Sequence, residues 1–185
     1  MIKNYSKEHL HKIRRKDRAK DDSWIRLFLR RAPMGTMATT REGQPFLVTR
    51  NFAFDEAAHA IYMHGGMKGR TYDNVQADDR VCFSVSEMGR LLPADKAIEF
   101  GVEYAGVVVF GRVSLVTDSE EATHGLQLLL DKYFPHLNPG VDYQPISSEA
   151  LKITAVFRID IESWSGKEKK VAEDFPGAFL YGEHP

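Results

Sequence analysis

A single cysteine, Cys82, occurs in the 185 residues, which excludes an intrachain disulfide and any multi-cysteine metal centre. No apolar run approaches the roughly 20 residues that cross a bilayer. The first residues are polar, without the apolar core of a secretory signal, so the cytoplasm is expected and a membrane is not. Neither charge is in excess: 25 Lys plus Arg face 26 Asp plus Glu, a formal net charge of −1. The chain as a whole therefore has no field to draw in nucleic acid or an anionic lipid surface. There is no Ser-His-Asp set, Walker loop or dinucleotide fingerprint, because the glycines at 65, 66 and 69 follow another spacing. His9, His11, His59, His124, His136 and His184 form no ligand spacing with His64, so no metal is expected. Internal repeats and low-complexity segments are also missing.

What is present is one domain's worth of ordinary globular sequence, 43% hydrophobic and 28% charged, enough for a proper core. A charged arm over residues 1–22 contains the basic run from Lys12 to Arg18, which reads as solvated or loosely docked, with nucleic-acid contact the minority reading. Asp21, Asp22 and Ser23 are N-cap candidates for a helix through Trp24, Leu27 and Phe28, ended by Pro33. Strands are expected over 35–40 and 45–54, joined by the turn Arg41-Glu42-Gly43-Gln44. Further strands are expected over 60–64, 80–86, 103–117 and 153–161, and residues 87–100 read as a long loop with a short helix. Helices are expected over 71–77 and from Asp118 to Tyr133, with Asp73, Glu120 and Glu121 assigned to capping. Cys82, within Val81-Cys82-Phe83-Ser84-Val85, is expected to be a buried, inert thiol. Six mostly hairpin-linked strands with inserted helices favour a mainly β fold, a small antiparallel barrel with peripheral helices. The barrel domain would span 23–167, with a tail over 168–185. Val107 to Phe110 is apolar on both faces of its strand, so one face should meet a partner, and a C2 homodimer is expected.

The segment richest in chemistry is Tyr62-Met63-His64-Gly65-Gly66-Met67-Lys68-Gly69-Arg70, where a strand passes into a helix. Small residues let a ligand approach the backbone, and a helix N-terminus offers free N–H groups to an anion. Lys68 and Arg70 would add charge to such a phosphate cradle. The same string also fits a plain strand–turn–helix corner with two solvated cations. Arg50 sits among apolar neighbours in a strand, where a lone cation is costly, so either a phosphate or a carboxylate partner is expected.

The ordered set Gly35-Thr36-Met37-Ala38-Thr39, Pro45 to Asn51, Ile61 to Arg70, and Tyr104 through Val113 resembles the flavin-binding split-barrel proteins related to pyridoxamine 5′-phosphate oxidase. Within them it is most similar to the 5-nitroimidazole reductase (nitroimidazole-resistance) branch, over residues 24–167. That resemblance implies a six-stranded antiparallel split barrel holding FMN at a homodimer interface. Arg50 and Arg70 would meet the flavin phosphate, with Lys68 and Thr71 beside it. Thr71 stands where many relatives carry lysine, and Ala105 where they often carry serine. The backbone of Val48, Thr49, Arg50 and Asn51 would run beside the ring, with Met63, His64, Gly65 and Gly66 near the ring and ribityl chain. Tyr104, Trp164 and Lys167 would approach from the other subunit, although Trp164 also fits a core or dimer anchor and Tyr104 a buried strand tyrosine. His64 is the catalytic candidate, as a proton donor or ligand contact, and it also fits mere packing at a strand end. The implied activity is electron transfer from a reduced nicotinamide or another donor to a small nitroaromatic-type acceptor. The alternatives are a non-catalytic flavin- or haem-binding protein of the same fold, F420 in place of FMN, and a pyridoxamine 5′-phosphate oxidase proper. The last lacks a convincing match at the tail Gly177 to Pro185.

Overall fold

Pairing along one antiparallel sheet organises the chain. The computed structural model describes residues 13–183; His9, His11, Lys12 and His184, named above, lie outside them. The strands are β1 (Ala19–Lys20), β2 (Gly35–Arg41), β3 (Gln44–Arg50), β4 (Ala53–Asp55), β5 (Ala60–Gly66), β6 (Arg80–Leu92), β7 (Gly101–Leu115) and β8 (Thr154–Lys169). The helices are α1 (Asp22–Arg31), α2 (Arg70–Ala77), α3 (Ser119–Tyr133) and α4 (Ser148–Ile153). Spatial order is β3-β2-β6-β7-β8-β5-β4, and β1 adds to β8. Every pairing is antiparallel.

The expected mainly β antiparallel architecture is therefore present, with eight strands rather than six. The run 45–54 divides at Asn51-Phe52 into β3 and β4, and Ala19–Lys20 pairs with Gly166–Lys167. Two expected boundaries were too short. β6 continues to Leu92 through a register shift between Met88 and Leu91, so the first part of the expected 87–100 loop is strand. β8 runs to Lys169, well past residue 161, and the short helix α4 precedes it.

Local chemistry explains the helix ends. The Asp21 carboxylate accepts from Trp24 N–H at 2.9 Å and Asp118 accepts from Glu121 N–H at 2.8 Å, so both helices start on a side-chain cap. Glu121 does not cap: it accepts from Arg158 at 2.6 Å and from Tyr62 Oη at 3.0 Å. Alternation on β7 sends Ala105, Val107, Val109 and Val113 into the core, while Tyr104, Val108 and Phe110 lie half-buried on the outer face. The run that looked two-sided is thus one core face and one outer apolar face. Cys82 shares that outer face with Phe110 and is half-buried rather than buried, its thiol pushed up by desolvation.

After β8 the chain is strapped across the end of the β6–β7 ribbon. Glu103, 7% exposed, accepts from Arg90 Nε and Nη2 at 2.9 and 2.8 Å and from Val171 N–H at 2.8 Å. Arg90 also donates to the carbonyls of Ala172 and Glu173. Leu91 and Phe179 close the strap with a two-way backbone bridge. The Arg90 hydrogen bonds, then the Val171 N–H, hold the Glu103 pKa down to about 2 against an ordinary 4.5. A depressed carboxylate contributes stability above its unfolded pKa and loses it as pH falls through the folded value. Amide exchange in residues 171–179, corrected for intrinsic rates, should therefore accelerate between about pH 4.5 and pH 2, before global unfolding. Glu103→Gln should show that acceleration already at about pH 7. A strap whose protection is flat across this range would refute the latch.

Candidate functional site

Strand β5 ends at Gly66 and α2 begins at Arg70, so the segment singled out in the sequence is the strand-to-helix corner it resembled. Gly69 is the N-cap with φ of 106°, a left-handed value, and it supplies no side chain to the helix N–H groups. The first turn of α2 thus keeps its amide donors for another acceptor. Lys68 and Arg70 stand exposed beside it, Arg70 lying 4.9 Å from the centre of the Phe46 ring.

Arg50 reaches into this corner from the core-facing side of β3. Its Nη1 donates to the His64 carbonyl at 2.9 Å and its Nη2 to Thr71 Oγ1 at 3.2 Å, with Phe157 5.6 Å away beneath the guanidinium. Thr71 is buried and accepts from Arg50, so its own hydroxyl proton stays available to a further acceptor. Gly65 makes the approach possible, because a Cβ there would stand 2.2 Å from Arg50 Nη1. Among the described residues no carboxylate pairs with Arg50. Burial lowers its pKa. Of the two partners expected for this cation, the carboxylate is therefore not supplied.

Alternation on β5 puts Ile61 and Met63 in the main core and Ala60 and Tyr62 under α3. Met63 is wholly buried, backbone included, and pairs with Phe157 on β8. His64, half-buried, shares the parity of Tyr62, and its Nδ1 is buried without a hydrogen-bond partner. Burial first, and Arg50 second, lower its pKa and favour the neutral imidazole. Val48 packs against the core edge, Thr49 shares a 2.8 Å hydroxyl contact with Thr36 on the outer face, and Asn51 lies half-buried where β3 ends.

The remaining candidates lie elsewhere. His64 pairs with Val156 on β8, whereas Gly106 and Tyr104 pair with Lys167 and Lys169. Eleven residues separate Val156 from Lys167, about 35 Å of strand. Tyr104 Oη accepts from Arg18 Nη1 at 2.9 Å, and Lys167 Nζ is 5.3 Å from its ring centre. Burial opposes ionisation of this phenol, but the hydrogen bonds and charges of Arg18 and Lys167 outweigh it and lower the pKa. Trp164 belongs to neither group. Its Nε1 donates to Asp22 at 2.8 Å, Arg26 covers its ring, and Phe54 and His59 meet it edge-on, which is a packing anchor under α1. Arg18 was missed because its only sequence signal, membership of a basic run, reads as solvation.

A barrel sheet with an uncapped helix end, an arginine without a carboxylate partner among the described residues and an orphaned imidazole nitrogen makes this corner a candidate anion-binding, cofactor-type site. The residues present fit the phosphate end of a flavin nucleotide. The sequence profile of the family described as pyridoxamine 5′-phosphate oxidase matches residues 21–168. The chain belongs to that flavin-binding family. No curated protein matches it. Among solved structures it is similar to a candidate 5-nitroimidazole antibiotic resistance protein from Bacteroides thetaiotaomicron, at 21% identity and TM-score 0.67, covering 80% of this chain and 84% of that one. It is also similar to the flavocytochrome Anf3 from Azotobacter vinelandii, at 21% identity and TM-score 0.73, covering 95% and 86%. A FAD and heme binding protein from Mycobacterium smegmatis matches at 18% and 0.73, covering 83% and 74%. These likenesses establish the split-barrel fold. No helix among the described residues is long and apolar enough to cross a membrane.

Proposed function

We propose that the protein is an FMN-dependent oxidoreductase that reduces a small organic acceptor, of nitroaromatic type, at a homodimer interface. The observation that carries this reading is Arg50: a half-buried cation with no carboxylate among the described residues, held by Thr71 and the His64 carbonyl beside an uncapped helix terminus. Such a group calls for an anion, and a phosphate matches the guanidinium fork and the α2 amides together. Arg50, Thr71 and the α2 N-terminus would hold the phosphate, with Lys68 and Arg70 supplying charge from solvent. His64 would hydrogen-bond through Nδ1, because a neutral imidazole is not a standing acid near neutral pH. When bound, the flavin supplies the redox chemistry, taking electrons from a reduced nicotinamide or another donor.

The separation of the two residue groups supports the dimer part of this reading. A single chain does not bring Tyr104 and Lys167 to the Arg50 corner, so a second copy laid on the outer face would complete the site. The cross-strand row Thr49, Thr36, Ser84, Val108 and Ser165 joins the β3 edge to the centre of that face. Val108→Asp places a charge there without entering the core, and should weaken dimerisation and FMN retention together. Sedimentation with flavin fluorescence would check this, and a folded monomer that keeps wild-type FMN affinity would count against a shared site.

The defining experiment is the visible spectrum of natively purified protein, followed by FMN titration of the flavin-free form. Absence of flavin absorption and of micromolar binding would sink the proposal. A Soret band instead would favour a haem-binding reading, which the two higher-scoring structural likenesses keep in view.

A further inference from the structure

The sheet runs from β3 at one end to β4 at the other, so Asn51 and Phe52 alone carry the chain across the seam of the barrel. Arg50 pairs with Gly35 on the β2 side of that seam, and Ala53 pairs with Tyr62 on the β5 side. Phe52 lies between the two ladders and is wholly buried. Its N–H and C=O must therefore find partners outside the sheet.

Helix α3 supplies them. Phe52 N–H donates to Tyr133 Oη at 3.0 Å, and Lys132 Nζ donates to the Phe52 carbonyl at 2.9 Å. The Tyr133 hydroxyl has one proton and two carbonyls in reach, Pro33 at 2.6 Å and Phe52 at 3.1 Å. The shorter contact takes the proton, which leaves the Phe52 carbonyl to Lys132. The same ammonium reaches the Leu29 carbonyl of α1 at 3.4 Å and stands 3.8 Å from the centre of the Phe52 ring. The other end of α3 is fixed by Glu121, which binds Arg158 and Tyr62. Gly125 seats the helix on β5, because a Cβ there would lie 2.6 Å from Tyr62 Cδ1. α3 is thus a bar fastened to β5 whose last turn grips the seam.

No carboxylate pairs with Lys132 among the described residues. The charged groups on the elements around it are engaged elsewhere: Arg30 and Arg31 of α1 with Glu56 and Glu87, Asp131 of α3 with Gln127, and Arg50 with Thr71. Tyr133 is the titratable group against it, 5.4 Å from Nζ to ring centre, and burial raises that phenol's pKa, keeping it protonated. Burial pushes the Lys132 pKa down to about 8 from an ordinary 10.5. An apolar chain would avoid this desolvation, so folding alone does not account for the charge.

We infer that Lys132 is a positioning residue for the Arg50 anion site, pinning the Phe52 carbonyl at the seam and so fixing the backbone from which Arg50 reaches Thr71 and the His64 carbonyl. This role rests on the proposed function for the identity of the anion, though not for the aim of Arg50.

Full-length Lys132→Met, titrated separately with FMN and with inorganic phosphate, tests it. Methionine keeps an unbranched chain over Phe52 and removes the ammonium. The dissociation constants of both probes should rise about 10-fold. In the Arg50→Met background the same substitution should change FMN affinity by about 2-fold or less. Wild-type FMN affinity should fall as pH rises through about 8, where Lys132 loses its charge, and Lys132→Met should flatten that step. The wild-type profile needs no variant to fold, and an affinity flat between about pH 7 and pH 9.5 would overturn the inference. So would unchanged affinity for both probes in Lys132→Met. A lysine needed only for folding would lower the flavin-free melting temperature equally in both backgrounds and leave the cycle additive, which would also overturn it. A wild type that binds phosphate but not FMN, with phosphate affinity still dependent on Lys132, would uphold the clasp and remove the flavin reading. A wild type that binds neither probe removes both.

Discussion

Arg50→Met is expected to raise the FMN dissociation constant by about 100-fold or more while leaving the flavin-free protein as stable as before. Methionine keeps an unbranched chain packed over Phe157, so the volume below the guanidinium is filled. What disappears is a buried charge facing an anion, a loss of about 2–5 kcal/mol when one partner of such a pair is truncated. The stability half of the expectation is the discriminating one. In the free chain Arg50 is partly desolvated with no carboxylate partner among the described residues, and the desolvation lowers its pKa. A residue kept for folding would lower the melting temperature when removed, whereas this one should leave it unchanged or raise it. Arg50→Lys should fall between, losing about 10-fold, because a point ammonium cannot span the His64 carbonyl and Thr71 Oγ1 and still face a phosphate. Fluorescence titration and calorimetric melting measure both halves, and unchanged FMN affinity in Arg50→Met would remove the central support for a flavin site.

The Arg50 corner was legible in sequence because its signals are local. A glycine pair ending an apolar run, two cations and a helical turn follow one another between Ala60 and Asp73, and a strand arginine among apolar neighbours poses its own question. The architecture was legible for the same reason: alternation and turn residues mark the strands in order, with β3 and β4 read as one run. The missed boundaries are those fixed by distant partners. β6 continues past Ser86 because β7 opposes it across a register shift, and no property of Glu87 to Leu92 alone announces that. β8 continues to Lys169 because Tyr104 to Val109 offer a free edge, and Gly166 is required there by Ile25 of α1, whose side chain would lie 2.6 Å from a Cβ. Trp164 shows the limit most clearly. Its place in the chain suits a cofactor contact, yet Asp22, Arg26, His59 and Phe54, from three separate stretches, converge on it and make it an anchor. Arg18 shows the reverse: a run of charges hid one member whose partner, Tyr104, lies 86 residues away.

Gly65→Ala should impair the same site by displacing Arg50 rather than removing it. The new methyl carbon would sit 2.2 Å from Arg50 Nη1 and 3.2 Å from its Cζ, with Phe157 Cε2 at 3.3 Å blocking the other side. A guanidinium at the end of a flexible chain can swing clear, so the barrel should fold. Swinging, however, breaks the 2.9 Å bond to the His64 carbonyl that aims the group. Losing one hydrogen bond to a charged group costs about 1.5–3 kcal/mol, so FMN affinity should fall by about 10- to 100-fold. The two substitutions should not add: in the Arg50→Met background, Gly65→Ala has no guanidinium left to displace, and its effect on FMN binding should shrink to about 2-fold or less. A double-mutant cycle on the dissociation constant reads this coupling directly. Full additivity would mean that Gly65 serves the ligand through its own backbone, with Arg50 acting independently of it.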